Sequence, residues 1–159
     1  MKKLICSNGL FWLWLSALVF FVDICTKKII FNNFELYSYI TLMPYLNITY
    51  VRNYGVAFGF LANEKTWEFW FFVLIAIIIC ITLILIMYYQ EIEKKINNIA
   101  YAIIIGGALG NLYDRVVYGF VIDFIDFHVN NLHWPTFNIA DIAICIGAGL
   151  MILDHVINS

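Results

Sequence analysis

The chain has 159 residues, of which 64% are hydrophobic and 13% are charged, and its mean hydropathy is +0.87. This apolar fraction exceeds the roughly 45–50% of soluble domains, so the lipid bilayer is the expected solvent. The length suits one domain, residues 1–159, and a formal net charge of -2 gives no electrostatic case for binding nucleic acid. The four cysteines form no CxxC pair, which argues against a disulfide framework or a metal site.

The N-terminal residues MKKLIC and the apolar stretch after them resemble a secretory signal. No small-residue cleavage site follows, and the stretch runs directly into Asp23 and Lys27. The sequence therefore favours a retained membrane helix over a cleaved signal.

A bilayer span needs about 20 predominantly apolar residues. Residues 69–89 satisfy this without any charged side chain. Three shorter stretches, at about 9–27, 97–115 and 138–157, carry polar residues near one end. The sequence predicts an all-α membrane protein with four transmembrane helices.

Chain direction alternates from span to span, so the ends of the first and third spans and the start of the fourth share one membrane face. Every polar residue that interrupts a span lies on that face: Asp23, Lys27, Asn111, Asp114, Arg115, Asn138 and Asp141. Four lysines, at positions 2, 3, 94 and 95, lie on the opposite face. Because lysines in short loops favour the cytoplasm, both termini are predicted to be cytoplasmic and the polar face extracytoplasmic.

Two segments lie outside the predicted spans on the polar face. Residues 28–65 contain β-branched and aromatic residues interrupted by Gly55 and Gly59, which predicts short strands resting on the outer membrane surface. Residues 116–137 are rich in aromatic residues and are predicted to form an outer loop between the third and fourth helices.

Small residues precede the polar cluster of the third span. Gly106 and Gly110 form a GxxxG pattern, which is typical of close contact between membrane helices.

Two other features allow two interpretations each. Asp23 and Lys27 form either a simple ion pair at a helix end or part of a supporting network. Asn53 either serves a turn before Gly55 or offers its amide to a substrate.

The carboxylates are the strongest candidates for chemistry. An ionisable residue at membrane depth indicates function, and Asp123 and Asp141 are such residues. Surface solvation is the alternative, and it is favoured for Asp126. His128 and His133 remain possible ligands or bases, although lone loop histidines usually are neither.

Other catalytic classes lack their motifs. The sequence contains no GxSxG or HExxH and no nucleophilic serine or cysteine with a nearby base. Two aspartates that share a site keep one proton between them, so one acts as a base on water and the other donates to a carbonyl oxygen. The residues alone thus predict an acid–base site at a membrane surface.

Five segments, in order along the chain, carry a family resemblance: DICTK at 23–27, NYGVAFG at 53–59, GGALGNLYDR at 106–115, GFVIDF at 119–124 and FNIAD at 137–141. Together they resemble the lipoprotein signal peptidase (signal peptidase II) family over nearly the whole chain. The one departure is Val56, where alanine is common in the family.

The resemblance implies an intramembrane aspartic endopeptidase of the bacterial inner membrane that cleaves prolipoproteins before a diacylglyceryl-modified cysteine. It implies four helices with a small extracytoplasmic β-cradle, and neither a metal nor an organic cofactor. Membrane lipids and cyclic peptide inhibitors of the globomycin type are the other implied partners. The catalytic dyad maps onto Asp123 and Asp141. The supporting or substrate-binding residues map onto Asp23, Lys27, Asn53, Gly55, Asn111, Asp114, Arg115 and Asn138.

Two other functions compete with this one. A proton-coupled transporter also places acids and an arginine among helices, although its site is expected near the membrane midplane. A membrane scaffold uses GxxxG packing but has no need of paired acids. Cleavage of a lipidated precursor peptide distinguishes the three.

Overall fold

The computed structural model describes residues 8–55 and 67–158. The predicted features at Lys2 and Lys3, at residues 56–59 of the NYGVAFG segment and at the end of the predicted outer segment lie outside these residues. The described chain forms four long helices and four strands: α1 (Leu13–Asn33), β1 (Tyr39–Met43), β2 (Leu46–Asn53), α2 (Trp67–Tyr89), α3 (Lys95–Tyr118), β3 (Val121–Val129), β4 (Leu132–His133) and α4 (Ile139–Asn158).

Within residues 8–55 and 67–158, three helical stretches are long and apolar enough to cross a membrane: Gly9–Asn33, Trp67–Tyr89 and Ile139–Asn158. The 23 residues of α2 reach roughly 34 Å as a helix, against a hydrocarbon core of roughly 30 Å. A helix satisfies its own backbone hydrogen bonds, which is what the bilayer interior demands. The polar residues at both ends of α3 lower its hydropathy, yet α3 contacts α1, α2 and α4 and forms the centre of the helical bundle.

Small residues on α3 permit this central position, as the GxxxG pattern predicts. A Cβ atom at Gly106 would lie 2.7 Å from the Ser16 backbone oxygen of α1. Gly107 faces α4, where a Cβ atom would lie 2.5 Å from the Ala140 backbone oxygen. Gly110 lies against the carboxylate of Asp23. The packing interpretation of the GxxxG pattern is confirmed. The same row of glycines brings Asp23 of α1 close to α3.

The strands form one antiparallel sheet in the order β1-β2-β3-β4. The prediction of an outer loop after the third helix was wrong, because β3 and β4 make up half of that segment. Its residues VIDFIDFHV are β-branched and aromatic, and β3 gains its hydrogen bonds from β2, a partner distant in sequence. The all-α prediction is corrected accordingly: the fold is mostly helical with a four-stranded sheet. The predicted outer segment also starts later, since α1 continues to Asn33.

A β-bulge in β2 places one asparagine of this strand on each face of the sheet. The β2–β3 register pairs Asn47 with Asp126 but Val51 with Asp123, with a shift between Ile48 and Val51. Without the extra residue, Asn47 and Asn53 would point to the same face, because side chains alternate along a strand. The bulge instead sends Asn53 to the face of Asp123 and leaves Asn47 on the face of Asp126.

Apolar side chains fix the sheet to the helices. Ile30 of α1 lies in one buried cluster with Tyr50 of β2 and Ile122 and Phe124 of β3. At the end of α3, Gly119 adopts a left-handed conformation with φ of 84° and its amide donates to the Arg115 carbonyl oxygen. This cap ends the helix and turns the chain into β3. The sheet therefore lies at the ends of α1 and α3.

The contact between α1 and α3 at Gly106 can be tested by adding a single methyl group. We expect Gly106→Ala to lower the thermal midpoint, because overpacking a tight contact costs about 1–3 kcal/mol. Gly149→Ala in α4 is the matched control, since a Cβ atom there meets no heavy atom of the described residues within 4 Å. Tryptophan fluorescence during heating in detergent measures both variants. Equal midpoints for the two variants would contradict this packing.

Candidate active site

Asn138 joins the two aspartates. Asp123 lies in β3 and Asp141 lies in the first turn of α4. The Asn138 Nδ2 atom donates to Asp123 Oδ1 at 2.7 Å, and the Asn138 backbone amide donates to Asp141 Oδ2 at 3.2 Å. The Asn138 Oδ1 atom accepts from the Asp141 amide at 3.0 Å, as an N-capping residue does. One residue thus caps α4 and holds both carboxylates.

Asn53 contacts Asp123 from the opposite side. Its Nδ2 atom donates to Asp123 Oδ2 at 2.9 Å, and its Oδ1 atom accepts from the Gly55 amide at 2.8 Å. Gly55 has a φ of 82°, a conformation that favours glycine. The turn interpretation of Asn53 is confirmed. The same side-chain amide also orients the carboxylate of Asp123.

Asn111 connects the aspartates to a buried lysine. Its Nδ2 atom donates to Asp141 Oδ1 at 2.8 Å, while its Oδ1 atom accepts from Lys27 Nζ at 3.0 Å. The lysine has no lone pair to offer, so it fixes which way the amide of Asn111 points. Asn138 Nδ2 donates to the same oxygen at 3.2 Å.

Lys27 pairs with two buried acids. Its Nζ atom lies 2.7 Å from Asp23 Oδ2 and 3.1 Å from Asp114 Oδ2. All three side chains are at most 2% exposed. Of the two interpretations of Asp23 and Lys27, the geometry favours the supporting network, because the pair extends to α3 and to Asn111.

The two acids also hold the backbone next to the candidate catalytic residues. Asp23 Oδ1 accepts from the amide of Ala140 at 2.9 Å, and Asp114 Oδ2 accepts from the amide of Ile122 at 3.0 Å. Ala140 directly precedes Asp141, and Ile122 directly precedes Asp123. Lys27, Asp23 and Asp114, here called the lysine clamp, therefore fix both aspartates through their main chains.

Arg115 lies at the edge of this group. Its Nη1 atom donates to the Asn111 backbone oxygen at 3.2 Å, and its guanidinium lies 5.1 Å from the centre of the Phe72 ring. It interacts electrostatically with Asp141 and Asp123. The cation balances part of the negative charge around the two carboxyl groups.

The environment of Asp123 favours its neutral form. Burial raises the pKa of Asp123 to about 6; the charge of Asp141 adds to the rise, and hydrogen bonds from Asn53 and Asn138 oppose it. Asp141 is more exposed than Asp123. Two close carboxyl groups in unlike surroundings can hold one proton between them, which is the state that acid–base chemistry on a water molecule needs.

Asp126 differs from its predicted state. It is 7% exposed, so its assignment to the solvated surface was wrong. Asn47 Nδ2 lies 2.8 Å from Asp126 Oδ2, and His133 Nδ1 lies 2.8 Å from Asp126 Oδ1. Burial alone raises the pKa of Asp126, but hydrogen bonds from Asn47 and His133 outweigh it and hold the pKa below its usual value.

Asp126 lies on the sheet face opposite Asp123 and does not join the two aspartates. His133, which was considered as a ligand or a base, forms a hydrogen bond with Asp126. The ring of His128 stacks on the ring of His133. Nothing in the sequence pattern points to Asn47, because its contact with Asp126 depends on the register of β2 with β3. Among residues 8–55 and 67–158, no group of three or more His, Cys, Asp or Glu side chains is placed to hold a metal ion.

Comparison with known proteins identifies close relatives. A family model described as Signal peptidase (SPase) II matches residues 15–157. The lipoprotein signal peptidase of Photorhabdus laumondii is 56% identical over 154 residues, which are 97% of this chain and 92% of the relative. That of Yersinia enterocolitica is 55% identical over 158 residues, which are 99% of this chain and 94% of the relative.

Two solved structures described as bacterial membrane enzymes share the fold. One matches with a TM-score of 0.82 and 33% identity over 94% of each chain. The other matches with a TM-score of 0.79 and 34% identity over 92% of this chain and 87% of the other. With a family match over most of its length and relatives above 50% identity, the chain belongs to the signal peptidase II family of lipoprotein signal peptidases and is an aspartic peptidase.

Proposed function

We propose that this enzyme is an intramembrane endopeptidase that removes the signal peptide from bacterial prolipoproteins by cleaving before a diacylglyceryl-modified cysteine. Asp123 and Asp141 are its catalytic residues. The observation that carries this proposal is their shared contact with Asn138, which holds two carboxyl groups in unlike environments side by side. The family membership supports the substrate class.

In the proposed reaction, the ionised carboxylate of Asp141 takes a proton from water while the water oxygen attacks the scissile carbonyl carbon. Neutral Asp123 gives its proton to the carbonyl oxygen, so a gem-diol forms without a free oxyanion. Asp141 then passes its proton to the amide nitrogen as the C–N bond breaks. Asp123 takes a proton from one hydroxyl group of the gem-diol, which restores both residues.

The surroundings of the pair support this division of roles. Burial keeps Asp123 protonated up to about pH 6. Asp141 accepts hydrogen bonds from Asn111 and the Asn138 amide, which orient its carboxylate. Arg115 and Lys27 supply positive charge nearby. The lysine clamp keeps the two main chains at a fixed separation, which positions the water for attack.

We further propose that the chain is one domain whose four helices, α3 included, all span the inner membrane. The site then lies on the extracytoplasmic side and both termini are cytoplasmic. Lys94 and Lys95, at the start of α3, support this orientation. The aspartates lie where α3 leads into the sheet and α4 begins, so water can reach a lipidated substrate that stays in the bilayer.

The position of the site also weighs against a transporter. Transport sites form near the membrane midplane, whereas this network joins the second half of the Gly9–Asn33 stretch to the end of α3 and the start of α4. Cyclic peptides of the globomycin type are proposed to bind the same site as inhibitors. Their competition with a lipidated precursor in the cleavage assay tests that assignment.

Replacing either aspartate tests the catalytic pair. We expect Asp123→Asn and Asp141→Asn each to reduce kcat by at least about a thousandfold, because asparagine can neither take up nor supply the proton. The double variant should lose little more, since the residues act as a unit. Cleavage of one diacylglyceryl-modified precursor peptide measures all three. Asp126→Asn is the control and should keep most activity, because Asp126 lies on the opposite face of the sheet. Substantial turnover by either single variant refutes the assignment.

The raised pKa of Asp123 gives two pH effects. Activity should fall as pH rises through about 6, because Asp123 then loses the proton that it donates. Stability should fall over the same rise, since the folded state binds this proton more tightly than the unfolded state does. Asp123→Asn removes the buried charge that lowers stability at high pH. We therefore expect the thermal midpoint of this variant at pH 7 to equal or exceed that of the wild type. A lower midpoint that matches the loss of activity would indicate a purely structural role for Asp123.

Removing the cation of the lysine clamp should disrupt both aspartates together. We expect Lys27→Met to cost about 3–5 kcal/mol, because it leaves two buried acids without their counter-ion. Lys28→Met is the matched control, since Lys28 is exposed and one residue away. Thermal midpoints and cleavage rates are measured for both variants in the same detergent. An active, stable Lys27→Met enzyme would contradict the positioning role of the clamp.

A further inference from the structure

A second polar site lies on the sheet face opposite Asp123. A cavity of about 320 Å³ opens there, and its lining includes Thr41, Asn47, Thr49, Asp126, His128 and His133. A water molecule occupies about 30 Å³ of the liquid, and small-ligand pockets begin at roughly 300 Å³, so the cavity has room for an organic group. Neither Asp141 nor Asp123 lines it.

Two buried atoms at this cavity have no hydrogen-bond partner among the described residues: Asn47 Oδ1 and His128 Nε2. Their neighbours determine their chemistry. Asn47 uses its NH₂ group on the carboxylate of Asp126, which leaves its oxygen as an acceptor. His128 Nδ1 lies 3.3 Å from the Asn130 backbone oxygen and must donate to it, so in the neutral ring Nε2 is also an acceptor.

The negative charge at the cavity, like these acceptors, favours a ligand that donates hydrogen bonds. Asp126 is held in its ionised form by Asn47 and His133, and the side chain of Asn47 is 5% exposed. A buried acceptor without a partner is costly, so the missing group is a donor. A hydroxyl group both donates and accepts, whereas an ammonium group only donates and carries the charge opposite to Asp126.

The histidine geometry argues against a metal ion. The rings of His128 and His133 stack with their centres 5.0 Å apart and their planes 21° from parallel. A nitrogen lone pair lies in the plane of its ring, so the lone pairs of stacked rings run side by side and do not converge on one ion.

We propose that this cavity, here called the Asp126 pocket, binds a primary ammonium group. The N–H donors satisfy Asn47 and His128 while Asp126 supplies the counter-charge. Because the sheet lies at the ends of α1 and α3, it is at the depth of lipid headgroups, and an ethanolamine headgroup carries this chemistry. A soluble amine is the other source. Binding links the outer strands β1 and β4 to β2 and β3, which carry Asn53 and Asp123.

Lipid nanodiscs of defined composition test the proposal. The full-length protein, labelled with ¹⁵N in its histidine rings, is placed in phosphatidylglycerol discs that contain phosphatidylcholine. Phosphatidylethanolamine then replaces the phosphatidylcholine stepwise. Both headgroups carry one positive charge, but only ethanolamine has N–H donors. We expect the His128 resonance to shift and saturate with ethanolamine lipid, while His155, at the far end of α4, does not respond.

Two variants locate the response. Asp126→Asn should raise the half-saturating lipid fraction by at least about tenfold, because hydrogen bonds to a charged group are lost. Glu35→Gln removes an exposed acid at the same end of the protein and is the matched control. Asn47→Ala, which removes an acceptor but keeps the carboxylate, is the second variant if Asp126→Asn does not fold.

The outcomes separate the sources of the ligand. Saturation by free ethanolamine in phosphatidylcholine discs, with no response to the lipid, supports the ammonium chemistry and assigns a soluble source. Equal His128 shifts in phosphatidylcholine and phosphatidylethanolamine discs, together with no response to free ethanolamine, overturn the proposal. An undiminished response in Asp126→Asn also overturns it. None of these readouts depends on peptidase activity.

Discussion

A single buried cation organises the polar half of this molecule. Lys27 of α1 contacts Asp23 on its own helix, and Asp114 and Asn111 on α3. Unpaired, each of these charges would be prohibitively costly at a helix end buried in a membrane protein. Because the two acids also accept the amides of Ala140 and Ile122, the ion pairs fix the start of α4 and the start of β3 relative to each other. The separation of Asp123 and Asp141 follows from this arrangement.

The sheet adds a second constraint on the same residues. β3 carries Asp123 on one face and Asp126 on the other, and the bulge in β2 presents one asparagine to each. The two carboxylates thereby acquire opposite properties. Burial dominates at Asp123 and favours its neutral form, whereas hydrogen bonds from Asn47 and His133 dominate at Asp126 and favour its ionised form. The acid proposed to donate a proton and the acid proposed to bind an ammonium group thus occur three residues apart on one strand.

Alternation of the predicted spans placed the polar residues on one membrane face, but it did not predict their contacts. Asp23, Asn111 and Asp141 lie on three helices, and helix packing brings them into one network. The GxxxG pattern likewise predicted close packing on α3, since only glycine leaves room for the backbone of α1. Contacts that depend on pairing between strands distant in sequence could not be predicted in this way. The sequence predicts neither β3 nor the burial of Asp126, because periodicity does not reveal a strand register or the partners Asn47 and His133 that the register supplies.

In the proposed mechanism, the two clamped aspartates activate a water molecule and form no covalent bond to the substrate. Single-turnover cleavage of a lipidated precursor in H₂¹⁸O, with excess enzyme that has never turned over, tests this most directly. If water attacks directly, the new carboxylate of the released signal peptide carries one ¹⁸O atom in the first turnover. A first-turnover product without ¹⁸O would mean that its oxygen came from an aspartate carboxylate through an acyl-enzyme, and would rule out direct attack by water.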